Sequence, residues 1–128
     1  MNHKTKGTHI IADLYGIKKE LLDDISLLSL LGRTAIAISG AKLVDWTFKK
    51  FQPSGVTLLF LLEESHLSFH TYPDSEPENS TGFLALDIYC CGDADPNVAV
   101  DFIIDNLKPD PSRVYRQMFI RGVEQVRR

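Results

Sequence analysis

Glu63 and Glu64, Ser65 and Ser68, His66 and His70, Thr71, Tyr72 and Asp74 all fall in one stretch, EESHLSFHTYPD. Carboxylates and imidazoles move protons near neutral pH, and a serine hydroxyl becomes a nucleophile when a base is at hand. A Ser-His-Asp hydrolase fits poorly, because no Gly-x-Ser-x-Gly elbow surrounds Ser65. A zinc site needs ligands spaced to converge, and His66, His70 and Cys91 are not a recognised set. The chain has no glycine-rich phosphate loop. Its two cysteines, Cys90 and Cys91, are adjacent. On a strand they point to opposite faces, so they cannot close a metal site together, and they form no disulfide framework. They are expected to be reduced thiols. Alternation of this kind is also what the polar side of a half-buried strand shows. Spacing alone leaves the chemistry open.

The elements that must position these side chains are legible from periodicity. Thr8–Tyr15 reads as a first strand, rich in β-formers. From about Lys18 to Ser39, apolar residues recur at three- and four-residue steps, from Leu21 and Leu22 to Ala35 and Ile38. This predicts a helix stopped at Gly40, with Gly32 as a point where it could divide. Leu43–Phe51 alternates as a strand with Val44, Trp46 and Phe48 on one face. Pro53-Ser54-Gly55 is a turn. Val56–Glu63 and Ser65–Thr71 are two further strands, the second setting Leu67 and Phe69 opposite His66, Ser68 and His70. Residues 75–82 read as a polar loop, and Phe83–Cys91 as a strand. Asp95-Pro96 opens a helix to about Leu107, with Asp as N-cap and Pro at the first helical position. Val114–Ile120 is a last strand.

Few helices and many strands joined by short turns predict an α+β two-layer sandwich, an antiparallel sheet with helices on one face. At 128 residues, 44% hydrophobic and 24% charged, the chain has the size and balance of one domain, 1–128. The longest apolar runs, such as Val56–Leu62, fall far short of the ~20 residues of a membrane span. Met1–Gly7 leads into no signal-type stretch, so a cytoplasmic protein is expected. The net charge of −3 argues against nucleic acid as a partner. The arginines at the C-terminus, Arg121, Arg127 and Arg128 with nearby Arg116, read as a solvated tail.

Three segments carry a resemblance: Gly55-Val56-Thr57, Glu64-Ser65-His66-Leu67-Ser68-Phe69-His70-Thr71-Tyr72-Pro73-Asp74, and Asp87-Ile88-Tyr89-Cys90-Cys91-Gly92-Asp93-Ala94-Asp95-Pro96. Together with Gly7–Tyr15 and Phe48–Pro53, they resemble the small prokaryotic S-adenosylmethionine decarboxylase proenzymes. The likeness runs to about Leu107 and fades beyond. It implies a chain that cuts itself between Glu64 and Ser65, giving 1–64 and 65–128, and converts Ser65 to a covalent pyruvoyl group. That group would form a Schiff base with the substrate amine and serve as electron sink, as pyridoxal phosphate does elsewhere. No pyridoxal phosphate and no metal is implied.

Carried over by position, the resemblance makes His70 the acceptor of the α-proton during self-cleavage and Thr57 a hydroxyl that assists it. Cys91 becomes the proton donor to the substrate carbon. Phe51 and Tyr72 become aromatics that hold adenine, and Asp74 an acid near the ribose. It further implies a homodimer with the sites at the interface, where Thr57, His70 and Phe51 of one chain meet Ser65 and Cys91 of the other. The five-residue spacing of Ser65 and His70, which puts them on opposite faces of a regular strand, fits that arrangement.

The sequence departs from the family pattern at several places. Thr57 stands for serine, Tyr72 for tryptophan or phenylalanine, Asp74 for glutamate and Cys90 for threonine, and the 75–82 segment is longer than is typical. These changes cluster on substrate recognition. They leave a pyruvoyl-dependent arginine or ornithine decarboxylase as an alternative, with Asp74, Glu76 or Glu78 pairing the basic group. An unprocessed, non-enzymatic binding homologue is the alternative of another class. Intact Glu64-Ser65, His70 and Cys91 argue against it.

Overall fold

The computed structural model describes residues 6–124. The expectations for the N-terminal leader and for Arg127 and Arg128 lie outside the described residues. The strands are β1 (Gly7–Lys18), β2 (Leu43–Lys50), β3 (Val56–Leu62), β4 (Ser65–Glu76), β5 (Thr81–Cys91) and β6 (Val114–Arg121). The helices are α1 (Lys19–Leu22), α2 (Ile25–Ser39) and α3 (Pro96–Leu107). The strands form one sheet in the order β2-β3-β4-β5-β1-β6, with every neighbouring pair antiparallel. This is the expected α+β sandwich. No helix among the described residues is long and apolar enough to cross a membrane.

Alternation sorts each strand into two faces. Val56, Leu58, Phe60 and Leu62 of β3, Leu67 and Phe69 of β4, and Leu84, Leu86 and Ile88 of β5 are buried beneath the helices. They meet Leu28, Leu31, Ala35 and Ile36 of α2 and Ala99, Val100 and Ile103 of α3. Phe60 and Phe69 pack edge to face, 5.7 Å between centroids. Burying each such side chain is worth about 1.5–3 kcal/mol, and this layer dominates the stability. Among the described residues the opposite face carries no helix. It presents Thr57, Leu59 and Leu61 of β3, His66, Ser68 and His70 of β4, and Asp87, Tyr89 and Cys91 of β5.

Three local findings differ from the sequence reading. The helix over Lys18–Ser39 divides at Asp23-Asp24, not at Gly32. Asp24 caps α2 by accepting from the Leu27 N–H at 3.0 Å, so the chain stops and restarts there. Gly32 lies inside α2 instead, where a Cβ would come within 2.4 Å of the Phe60 ring; its lack of a side chain lets the helix approach the sheet. The 75–82 segment is a hairpin rather than a loop. β4 runs on to Glu76, Pro77–Asn79 makes a 3₁₀ turn, and β5 starts at Thr81. Glu76 anchors it, accepting from the Gly16 N–H and the Thr81 hydroxyl and pairing with Arg113. Two of the four C-terminal arginines, the two within the described residues, are also engaged. Arg116 is in β6 and pairs with Asp101 and Asn97 of α3, and Arg121 lies over the Tyr89 ring.

Candidate active site

β4 carries the site residues at two separated places. Ser65 is its first residue and His70 its sixth, so about 16 Å of extended strand lies between them. One chain therefore holds two separate groups of candidate residues.

The first is built at the β3–β4 turn. Glu64 adopts a left-handed conformation, φ 59°, which costs a residue with a Cβ roughly 1–2 kcal/mol. The turn lets β4 reverse onto β3 with Leu62 opposite Ser65. It also swings the Glu64 carbonyl against the end of β5, where the Cys91 thiol donates to that oxygen at 3.0 Å. The Ser65 hydroxyl donates to the neighbouring Glu63 carbonyl at 3.2 Å. A cleft of about 450 Å³ opens here, with Glu64, Ser65, Cys91 and Gly92 in its wall. Cys90 faces the other way. It is fully buried, and desolvation, with smaller contributions from Cys91 and Asp95, pushes its thiol up to about 11, so it packs as a protonated thiol. Tyr89 sits two residues from Cys91 on the same face. Its hydroxyl is held above the usual phenol value, chiefly by hydrogen bonding to Cys91 and then by burial.

The second group is at the far end of β4. Thr57 and His70 are directly paired across β3 and β4, and their Oγ1 and Nδ1 atoms are 3.0 Å apart. Tyr72, on the same face as His70, stacks on Phe83 at 4.8 Å between centroids, and Phe83 stacks on Tyr15. One face of the Tyr72 ring is thereby supported. Phe51 stands half-exposed at the start of the 51–55 turn. Its N–H donates to the Gly55 carbonyl at 2.8 Å. Gly55 has φ 107° and sits 3.3 Å from the Thr71 carbonyl, counted from where a Cβ would stand.

The helix break now acquires a use. Asp23 accepts from the Gly55 N–H at 2.9 Å and from the Lys50 ammonium. Burial pushes its carboxyl up, but the bonds from Lys50 and Gly55 outweigh that and hold it below the ordinary value. Thr71 completes the clamp, donating to the Leu22 carbonyl and accepting from the Val56 N–H. Asp74 accepts from the Ser54 hydroxyl, and Glu76 is committed to Arg113.

The structure thus brings Glu64, Ser65 and Cys91 together, and separately Thr57 with His70, with Tyr72 next along the same face of β4 and Phe51 and Asp74 at the 51–55 turn. It does not bring the two groups together within one chain. It also assembles a cluster that the sequence reading missed: His9 and His66 both hydrogen-bond Asp87 Oδ1, at 2.7 and 2.9 Å. These three residues come from three strands. Their only sequence signal is that each lies on the polar phase of its own alternation.

Comparison with known proteins places this architecture. The crystal structure of the adenosylmethionine decarboxylase from Aquifex aeolicus superposes with a TM-score of 0.79 at 33% identity, covering 98% of both chains. A Trypanosoma brucei AdoMetDC monomer shares the fold alone, with a TM-score of 0.57 at 10% identity over 80% of this chain and 42% of that one. The fold, shared at 33% identity with the Aquifex aeolicus enzyme, places the chain among the pyruvoyl-dependent decarboxylases, a class of carboxy-lyase. A family model described as S-adenosylmethionine decarboxylase matches residues 8–122. The S-adenosylmethionine decarboxylase proenzyme 2 of Bacillus cereus is 43% identical over 98% of this chain and 97% of its own length. The corresponding proenzyme of Brevibacillus brevis is 38% identical over 98% and 90%. The chain belongs to the S-adenosylmethionine decarboxylase family.

Proposed function

We propose that this chain cuts itself between Glu64 and Ser65 and that the product decarboxylates S-adenosylmethionine in the cytoplasm, supplying the aminopropyl donor for spermidine. The observation that carries the reading is the Glu64–Ser65 turn. A strained residue presents its carbonyl oxygen to a thiol, with a serine hydroxyl on the next residue. The arrangement fits a group made from Ser65.

In the first step the Ser65 oxygen attacks the Glu64 carbonyl carbon. A C–O bond forms, the C–N bond breaks, the hydroxyl proton passes to the freed nitrogen, and the chain is joined through an ester. Cys91 faces the oxygen on which negative charge develops. His70, its Nδ1 occupied by Thr57, presents Nε2 as the base for the Ser65 α-proton. Loss of that proton breaks the Cβ–O bond and frees Glu64 as a carboxylate. The dehydrated residue takes up water and releases ammonia. The resulting pyruvoyl group supplies a carbonyl electron sink for the electrons left when carbon dioxide departs. Cys91 returns a proton to the substrate carbon. Phe51 and Tyr72 hold the adenine between ring faces, and Asp74 lies beside the ribose.

The separation of the two groups along β4 supports a site completed by a second chain. An isologous dimer sets His70, Thr57 and Phe51 of one protomer against Ser65 and Cys91 of the other, and forms two equivalent sites. The helix-free face supports this reading, since Leu59 and Leu61 are 46% and 55% exposed there. Such an apolar surface is characteristic of an interface. Pairing of Glu76 with Arg113 takes that carboxylate away from a basic substrate, which weighs against an acidic pocket for arginine or ornithine built on it. The test is carbon dioxide release from carboxyl-labelled S-adenosylmethionine, arginine and ornithine. Release from the first is expected, and release from either amino acid instead would overturn the substrate.

A further inference from the structure

Cleavage at Glu64–Ser65 leaves β4 with a free end at the residue that must do the chemistry. What fixes that end is then a functional question. The backbone of the next residue, His66, is paired with Leu61 on one side and Tyr89 on the other. Its side chain is tied as well, with Nε2 2.9 Å from Asp87 Oδ1. Asp87 is held in turn by His9 Nε2 at 2.7 Å. Arg121 Nη1 lies 3.3 Å from His9 Nδ1, and its guanidinium covers the Tyr89 ring, 5.2 Å from the centroid. The result is a chain of contacts from β6 across β1 and β5 to the second residue of β4.

Two imidazoles and a carboxylate also make a donor set for a transition metal. The hydrogen bonding favours a tether over that use. Where Arg121, which can only donate, bonds His9 Nδ1, the ring proton is assigned to Nε2, pointing at Asp87. A nitrogen that carries this proton has no lone pair for a metal.

Resting on the self-cleavage reading above, we propose that His66, anchored by Asp87, is the positioning residue that holds the group formed from Ser65 against the Cys91 thiol. His9 and Arg121 fix Asp87 for that purpose. Before cleavage the covalent turn does the same work, so the tether matters most in the cut enzyme. The position decides where the proton from Cys91 lands. A proton placed on the chain's own carbon instead of the substrate's leaves the substrate nitrogen on the chain. After hydrolysis the C-terminal fragment begins with alanine, and the substrate leaves as an aldehyde.

The test compares His66→Ala, Asp87→Ala and Asp87→Asn with the parent. Cleavage is read by intact mass and turnover by kcat and KM. The misplaced proton is read by Edman sequencing of the C-terminal fragment, which a pyruvoyl end blocks and an alanine end permits. Both alanine variants are expected to cut, to lose about 10–100-fold in kcat at little-changed KM, and to accumulate N-terminal alanine during turnover. Asp87→Asn, which keeps an acceptor for both imidazoles, recovers part of the loss. Parental kcat and an absence of N-terminal alanine in both alanine variants would overturn the assignment. So would a His66→Ala chain that folds by circular dichroism but stays uncut. Failure of the parent itself to cut would instead remove the reading on which the assignment rests.

Discussion

Co-expression of a Ser65→Ala chain with a His70→Ala chain separates a site shared between protomers from a site within one. Each variant alone lacks a component at both sites of its dimer. In a mixed dimer, the Ser65→Ala protomer offers an intact His70 to the intact Ser65 of the other. The structure sets the scale of the effect. About 16 Å of strand separates Ser65 from His70 in one chain, where proton transfer needs roughly 3 Å. No rotamer closes that gap, so cleavage within one chain contributes nothing. Random pairing at equal expression gives about half mixed dimers, each with one complete Ser65–His70 pair, so about a quarter of all chains are cut. Every cut chain is a His70→Ala chain. With different tags on the two variants, a denaturing gel reports both the fraction and the identity. A cut fraction no greater than that of the His70→Ala chain expressed alone would refute the two-chain site.

Three further outcomes follow from particular contacts. Cys91→Ala removes the thiol at the Glu64 oxygen; timed acid quenching of cell-free synthesis should show slower cleavage, by about fivefold for a weak donor worth roughly 1 kcal/mol, and the cut enzyme should decarboxylate poorly. The Arg113 guanidinium, with smaller help from the Gly16 and Thr81 bonds, holds the Glu76 carboxyl below its ordinary 4.5. A depressed carboxyl stabilises the fold above its unfolded value and loses that contribution as pH falls through the lower folded value. The parent should therefore lose more Tm than Glu76→Gln between pH 5 and the acid side of 4.5; equal losses would remove the pair as an anchor. Gly32→Ala forces a Cβ to 2.4 Å from Phe60, and denaturant unfolding should show a loss of about 1–3 kcal/mol.

Much of the frame was written locally. Alternation placed the strands, and Asp95-Pro96 marked the start of α3, because capping and apolar periodicity act within a few residues. What was not legible depends on partners far along the chain. The hairpin over Glu76–Thr81 looks like polar loop until Arg113 and Gly16 are in place to hold Glu76. The break at Asp23-Asp24 interrupts a good helical pattern because Asp23 serves the 51–55 turn, 32 residues on. Spacing showed Ser65, His70 and Cys91 as reactive side chains but could not bring Cys91 to the Glu64 carbonyl. The resemblance put Cys91 in one site with Ser65 as a proton donor, and its bond to the Glu64 oxygen appears only in the folded chain. His9 and Asp87 were invisible for the same reason, since 78 residues separate them and only sheet order joins them.

The central claim is that Glu64–Ser65 is cut and that Ser65 becomes the cofactor. The most direct measurement is the denaturing intact mass of the purified protein, before any substrate is added. Two fragments matching 1–64 and 65–128 are expected, the second lighter by one ammonia than a chain beginning with serine and resistant to Edman sequencing. A single species of 14.4 kDa that persists on long incubation, or a second fragment with a free N-terminal serine, would contradict the account.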